Sequence, residues 1–277
     1  MFDCYMFLCV CMCLYVNGCV LSSLMNLLAL NAKVRVGVSI CSTMFRLDTI
    51  EVSVKADCLA VELLLKALDV PYAIQRHERH NAEHMSVSGE LPILKVENEI
   101  LEGFQSIRAF FKSQGHCLCD KAHLDESQQS EVEAYMSLIR NTIQTAEMYM
   151  TWTNHANKQM MKKLCGRFYP LPLNYVVPWL KGRLAAEQLR ARGWIDRSQH
   201  EVCDEVSRVC CGLQAKLGSQ KYFFGNSVTE VDMLLCGHVR ALSTEDRLPD
   251  VFLLPVVQTY RQLLTLTDTI GNSEHEY

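Results

Sequence analysis

The sequence predicts an α/β N-terminal domain followed by an all-α C-terminal domain. In the first part of the chain, apolar residues with period two flank a segment of helical period, which is typical of a strand–helix–strand unit. From Ser130 onward, the strand signals give way to long segments of helical period. At 277 residues, the chain is long enough for two ordinary domains with sizeable cores.

Composition excludes some classes of partner. Of the residues, 49% are hydrophobic and 21% are charged, and the net charge is −4. That balance provides no electrostatic footprint for nucleic acid, so we expect no nucleic-acid partner. The chain has 14 cysteines but is too large and too apolar to need a disulfide scaffold. We therefore predict reduced thiols in a protein that faces the cytosol.

Residues 1–32 form an apolar N-terminal extension. Residues 4–32 carry no charge, and the eight Leu, Val and Phe residues within Tyr5–Leu24 would each favour membrane insertion by roughly 0.3–0.6 kcal/mol. Asn17, Gly18 and two serines oppose insertion. Three interpretations stay open: a signal-anchor, an incorrectly assigned start of the protein, and a buried helix. If the extension spans a membrane, Lys33 and the basic residues after it predict a cytosolic position for the rest.

Residues 33–116 are predicted to form the first domain. Its expected elements are strands at Val34–Ile40, Ile50–Val54 and Tyr72–Ile74, a helix over Leu59–Leu68 with Asp57 as its N-cap, a hairpin from Ile93 to Leu101, and a helix over Phe104–Phe111. A strand, a helix and a second strand make the right-handed unit of an α/β domain.

Pro92 stands at the entry to the predicted strand Ile93–Val96. A proline cannot donate a hydrogen bond to a sheet ladder, so its position conflicts with ordinary pairing. A cis Leu91–Pro92 bond in a turn before the strand would remove the conflict. A trans proline at a loop–strand boundary is the alternative. Thioredoxin-like domains place a proline in this way, and we assign Pro92 a structural role.

Residues 124–271 are predicted to form an all-helical domain, followed by an acidic tail at 272–277. Ser130 and Glu133 match a capping box at the start of a helix with one apolar stripe. A later helix carries Lys181, Arg183, Arg190 and Arg192, a basic set that could meet acidic lipid headgroups, a protein partner or solvent.

Another capping pattern begins at Thr229. Thr229 occupies an N-cap position and Asp232 the third helical position, where its carboxylate can accept from the N-cap backbone. We assign Thr229 and Asp232 structural roles at the start of this helix. His238, on the apolar side of the same helix, is expected to be a core histidine with a hydrogen-bond partner.

Two groups of residues have metal-ligand spacing. His77, His80 and His84 would share one face of a helix, but they stand among arginines in a polar segment. Cys9-x-Cys11-x-Cys13 lies in an apolar stretch without a nearby histidine. We predict no metal site and no cofactor.

Five stretches of sequence, spread in order over roughly residues 50–265, resemble the metaxin family. They are Asp57–Val61; Asn81–Ser86 running on to Pro92; Gly115-His116 with Asp120; Tyr169–Asn174; and Tyr222–Phe224 through Thr229–Asp232 to His238. The resemblance implies a thioredoxin-like domain and an all-α domain in a glutathione-transferase-like layout.

The resemblance also implies a function. Metaxins take part in protein import and β-barrel protein assembly at the cytosolic face of the mitochondrial outer membrane. This chain is similar to a soluble, peripheral subunit that a metaxin-1-type partner holds at the β-barrel assembly machinery. The resemblance implies no catalytic residues.

A glutathione-dependent transferase is the alternative function. Such enzymes use a hydroxyl or thiol early in the first domain and a Glu/Gln-Ser pair after the fourth strand. Glu102 is present, but Gly103 stands where that serine would be. Cys58 is a candidate nucleophile, although apolar neighbours favour a core thiol. These departures favour a non-catalytic subunit.

Overall fold

The computed structural model describes residues 38–41, 51–70, 72–74, 90–96, 99–167 and 169–273. The apolar extension 1–32, the histidine triplet at 77–84 and the last four residues lie outside this part of the chain. The predictions for those segments therefore stay predictions. Among the described residues, none of the helices combines the length and the apolar character that a membrane span requires.

A four-stranded sheet forms the N-terminal part. Its strands are β1 (Val38–Cys41), β2 (Tyr72–Ile74), β3 (Ile93–Val96) and β4 (Glu99–Glu102). They lie in the order β2-β1-β3-β4, with β1 parallel to β2 and antiparallel to β3. Helix α1 (Val52–Ala67) connects the parallel strands, and helix α2 (Gly103–Ser113) follows β4. This arrangement is the predicted strand–helix–strand unit followed by a hairpin and a helix.

The predicted strand over Ile50–Val54 is wrong. Val52 is the first residue of α1, and Asp57 lies inside that helix rather than at its N-cap. The reason is tertiary packing: Val52, Ala56, Ala60 and Leu64 recur every four residues and are all buried. Burial of this stripe outweighs the strand preference of the two valines.

Helices make up the rest of the described chain. They are α3 (Leu118–Lys121), α4 (Glu126–Ile139), a π-helical turn (Arg140–Gln144), α5 (Thr145–Trp152), α6 (His155–Gly166), α7 (Leu173–Ala191), α8 (Gln199–Leu217), α9 (Glu230–Ser243), α10 (Leu253–Gln258) and α11 (Arg261–Ser273). The apolar stripe predicted along α4 and beyond is buried at Val132, Met136, Ile139 and Ile143.

The predicted capping box at Ser130 is wrong. Helix α4 begins at Glu126, and Asp125 is its N-cap, with the Asp125 carboxylate accepting from the Gln128 N–H at 2.7 Å. Ser130 lies one turn inside the helix, where its hydroxyl donates to the Glu126 carbonyl. Two cap patterns compete in this segment, and the earlier one adds a full turn of backbone hydrogen bonds to the helix.

Helices α1 and α9 pack closely enough to require a glycine. A Cβ at Gly237 would overlap the Ala56 carbonyl oxygen and lie 2.9 Å from the Ala60 nitrogen. The hydrophobic core runs from α1 and the sheet through this contact into the helices without interruption. The domain boundaries expected at residues 116 and 124 therefore stay a prediction.

Candidate functional site

The first candidate site is the turn around Pro92, where a transferase of this fold would hold its ligand. The Leu91–Pro92 peptide bond is cis, as the sequence analysis expects, and Pro92 is buried. Its carbonyl accepts a hydrogen bond of 2.8 Å from the Gly103 N–H. Pro92 is thereby tied to the junction between β4 and α2.

Gly103 leaves this site without a side-chain hydroxyl. Its φ of +73° lies in the left-handed region, where residues other than glycine are strained. A Cβ at this position would come within 2.8 Å of Oε2 of Glu90. The backbone conformation therefore disfavours a serine here, whereas the carboxylate of the exposed Glu90 side chain can move aside.

Cys58 is not placed as a nucleophile. It lies in the second turn of α1 with 6% of its surface exposed, in a small apolar cluster with Leu91 and Ile93. Burial raises the pKa of its thiol, and the charges of Asp57 and Glu62 raise it further. Because the thiolate is the reactive form, this thiol is inert at physiological pH.

Thr229 and Asp232 meet at the start of α9. The backbone N–H and the hydroxyl of Thr229 both donate to Oδ2 of Asp232 at 2.7 Å, and the Phe223 N–H donates to Oδ1 at 3.0 Å. Burial raises the pKa of Asp232 to about 6, against the effect of these hydrogen bonds. The contacts fix the preceding loop to the helix, while the structural role assigned to the pair stays a prediction.

Sequence reasoning missed a polar cluster at Glu230, the first residue of α9. One Glu230 oxygen accepts from the Leu118 N–H at 3.2 Å, and the Cys117 and Cys119 thiols donate to the carboxylate at 3.4 and 3.0 Å. All of these groups are buried. The cysteines are 113 and 111 positions away in the chain, so no local spacing could have indicated the contact.

The ligand atoms of Cys117, Cys119 and Glu230 lie within 4.8 Å of one another, close enough to hold a metal ion. Burial and the charge of Glu230 raise the pKa of both thiols, which favours the protonated form that donates to the carboxylate. The buried Arg108 guanidinium also interacts electrostatically with Glu230 and Cys119. A nearby cation opposes binding of a metal ion, so the cluster is best described as a hydrogen-bonded joint between α3 and α9.

A second buried network joins α1, α5 and α9. Nδ1 of His238 lies 3.0 Å from both carboxylate oxygens of Glu147, and neither side chain is exposed. Gln144, in the π-helical turn, donates to Oδ2 of Asp57 at 2.8 Å. In the described residues, Nε2 of His238 and Oδ1 of Asp57 have no hydrogen-bond partner. The expectation of a core histidine with a partner is correct for one of its two nitrogens.

Comparison with known proteins identifies the family. Metaxin-2 of Mus musculus is 34% identical over 218 residues, which cover 78% of this chain and 81% of that protein. This chain belongs to the metaxin family. Metaxin-2 of Homo sapiens matches to the same extent, and metaxin-1 of Mus musculus is 26% identical over 71% of this chain and 63% of that protein. The predicted resemblance is confirmed.

A family model described as outer mitochondrial membrane transport complex protein matches residues 58–181. Membership in the metaxin family thus places the chain among proteins of mitochondrial outer-membrane transport complexes. The matched residues run from α1 through the π-helical turn into α7, so they include parts of both predicted domains.

Solved structures confirm the fold class. One is a glutathione transferase family member from Pseudomonas fluorescens, solved with two glutathione molecules bound. It superimposes on this chain with a TM-score of 0.51 at 13% identity, and the match covers 86% of this chain and 89% of that chain. A delta-class glutathione transferase from Nilaparvata lugens gives a TM-score of 0.50 at 11% identity, covering 85% and 88%. At these identities, the likeness concerns the fold alone: a thioredoxin-like part followed by an all-α part.

Proposed function

We propose that this metaxin-family protein is a non-catalytic subunit of the mitochondrial outer-membrane protein import and assembly machinery. It acts with a metaxin-1-type partner in the biogenesis of β-barrel proteins, attached peripherally at the cytosolic face of the membrane. The observation that carries this proposal is the extent of the similarity to metaxin-2, which spans 78% of this chain and 81% of the relative.

The geometry of the transferase-like site supports a role without catalysis. The thiol of Cys58 is buried and protonated, and Gly103 supplies no hydroxyl for the γ-glutamyl group of glutathione. The alternative is a glutathione-dependent transferase. It is favoured by the shared fold and by the cis proline that precedes β3.

The test is an assembly assay in isolated mitochondria from cells depleted of this protein. A radiolabelled β-barrel precursor should reach its folded, membrane-integrated form more slowly than in control mitochondria. A precursor destined for the matrix should be imported at the normal rate, which controls for general damage. Re-expression of the wild-type chain should restore assembly.

Two further results would contradict parts of the proposal. The proposal would be contradicted if β-barrel assembly were unchanged and the purified protein turned over glutathione and a chlorinated aromatic substrate. Those two results would support the transferase instead. A reciprocal pull-down of a metaxin-1-type protein tests the partner separately. Absence of that protein from the purified complex would contradict the proposed interaction with a metaxin-1-type partner.

A further inference from the structure

Helix α7 is apolar on two opposite sides. Pro178, Gly182, Ala185 and Leu189 form its buried face, and the helix contacts α5 and α6. On the opposite side, Leu173, Val176, Leu180 and Leu184 follow the i, i+3, i+7, i+11 spacing and are 45–50% exposed. We call these four residues the outer face. A surface helix normally buries one apolar side and exposes a polar one, so a second apolar side is unusual.

Two aromatic side chains on the flank of α7 are exposed as well. Tyr175 is 72% exposed, and Trp179, one turn later, is 54% exposed. Of the nine large apolar side chains that are exposed in the described residues, seven lie between Leu171 and Leu184. The exposure is therefore concentrated on one short segment, and a concentrated apolar patch marks an interaction surface.

The outer face lies within the most basic segment of the helical part. Between residues 155 and 193 there are eight lysine and arginine residues and one carboxylate, that of Glu187, a net charge of +7 in a chain whose total is −4. The basic residues are Lys158, Lys162, Lys163, Arg167, Lys181, Arg183, Arg190 and Arg192. Lys162 and Lys163 are exposed on α6, and Arg183 and Arg190 are exposed on α7. The rest of the chain carries a net charge of −11, so this segment is the part of the helical region that most favours an anionic surface.

We propose that the outer face of α7, together with the basic residues of α6 and α7, docks on an anionic lipid surface. The leucines and the valine would enter the boundary between headgroups and acyl chains, and Trp179 and Tyr175 would lie at the headgroup level. The lysines and arginines would contact the lipid phosphates. The proposal rests on the proposed function, which gives the protein a membrane to meet.

The excess of charge decides between lipid and a protein partner. The central part of a protein–protein interface is depleted of charged residues, and lysine is disfavoured there. Exposed leucine and aromatic side chains on a helix that also carries lysine and arginine are instead typical of helices that lie in a membrane interface. Helix α7 would lie on the membrane and not cross it, in agreement with its charged second half.

Trp179 provides a direct reporter of this contact. The chain has three tryptophans, and the other two, Trp152 and Trp194, are 3% and 6% exposed. The purified full-length protein should bind vesicles of phosphatidylcholine and phosphatidylserine, and bind vesicles of phosphatidylcholine alone much more weakly. Brominated acyl chains should quench the emission of the wild-type protein, and Trp179→Phe should abolish most of that quenching. Raised salt should weaken the binding.

Matched variants test whether this surface, rather than another part of the chain, binds the vesicles. Lys162→Gln with Lys163→Gln should weaken vesicle binding by on the order of twentyfold, since each removed charge is worth about fivefold. Leu180→Ser with Leu184→Ser should weaken it by roughly tenfold or more. The controls are Lys112→Gln with Lys221→Gln, and Ile100→Ser with Leu138→Ser, which remove exposed residues outside α6 and α7. Thermal unfolding verifies that each variant is folded.

Each remaining outcome overturns the proposal. If the controls weaken binding as much as the test variants, another part of the chain binds the lipid. If Trp179 is shielded by a protein in solubilised mitochondrial complexes but never by vesicles, the outer face is a protein interface. The vesicle assay contains no import machinery, so its failure would leave the β-barrel assembly result unaffected.

Discussion

His238 and Glu147 are paired in the interior, with Nδ1 of the histidine 3.0 Å from both carboxylate oxygens and neither side chain exposed. The pair connects α9 to α5, which follows the π-helical turn. Burial alone would lower the pKa of His238, but the charge of Glu147 and the hydrogen bond to it outweigh burial and raise that pKa. The Glu147 carboxylate therefore favours the protonated form of the histidine.

Glu147→Gln should destabilise the fold severely. The variant removes the negative charge that faces the buried imidazole, and breaking a buried ion pair costs about 3–5 kcal/mol. The control is Glu187→Gln, whose carboxylate pairs with Arg183 on the surface and contributes about 1 kcal/mol at most. Urea unfolding at neutral pH measures both. A loss for Glu147→Gln no larger than that of the control would contradict the pair's role.

The stability of the protein should depend on the ionisation of Asp57. Burial raises the pKa of this carboxyl to about 6, although His238 and Arg140 oppose the shift. A carboxyl whose pKa is higher in the folded state contributes stability that is present below its unfolded pKa and lost as the pH rises through about 6. His238 acts in the same direction at higher pH, since its raised pKa favours folding until the histidine deprotonates.

Asp57→Asn tests this dependence, since asparagine does not titrate. Between about pH 4 and about pH 7, the wild-type protein should lose about 2 kcal/mol of unfolding free energy more than the variant does. Asp232 stays in both proteins and cancels in the comparison, although its pKa is also raised to about 6. Parallel pH profiles for the two proteins would show that Asp57 does not titrate in this range.

Two local features of this chain are predicted correctly from the sequence. Thr229 and Asp232 are three positions apart, so the pattern alone predicts their contact. Pro92 conflicts with ordinary strand pairing, and a cis bond, which that conflict suggests beside a trans alternative, is the one found. The parallel connection from β1 to β2 follows from periodicity in the same way.

Features that depend on distant partners were not predictable. Glu147 meets His238 across 91 positions, and Glu230 meets Cys119 across 111. No local spacing links such residues, because the packing of the helices brings them together. The error at Val52 has the same origin: the valines favour a strand locally, while packing of α1 against α9 requires a helix.

Gly237→Ala should weaken the contact between α1 and α9. The added Cβ would meet the Ala56 carbonyl and the Ala60 backbone, neither of which can rotate away. Overpacking of this kind costs typically about 1–3 kcal/mol. The control is Gly212→Ala on α8, where a Cβ has open space and should stabilise the helix by about 0.5–1 kcal/mol. Opposite signs in urea unfolding are expected, and two stabilising results would refute the close contact.

Thr229→Ala should destabilise the start of α9. The variant removes the hydroxyl that donates to Asp232, and loss of an N-cap side chain costs about 1 kcal/mol. Thr265→Ala is the control, because its exposed hydroxyl only bonds to the Arg261 carbonyl within α11. Its effect should stay within about 0.5 kcal/mol. Equal unfolding free energies for the two variants would remove the structural role assigned to Thr229.

Glutathione should not bind to this protein, and restoring a hydroxyl should not rescue binding. Calorimetric titration of the wild-type chain with millimolar glutathione should give no saturable heat. Gly103→Ser should behave in the same way, because its side chain would be strained at a φ of +73°. The double variant Gly103→Ser with Glu90→Ala also removes the carboxylate 2.8 Å from the added Cβ but keeps the strained φ. Micromolar binding by the wild-type chain would favour the transferase, whereas binding by the double variant alone would show that the Glu90 carboxylate, and not the φ of residue 103, prevents glutathione from binding.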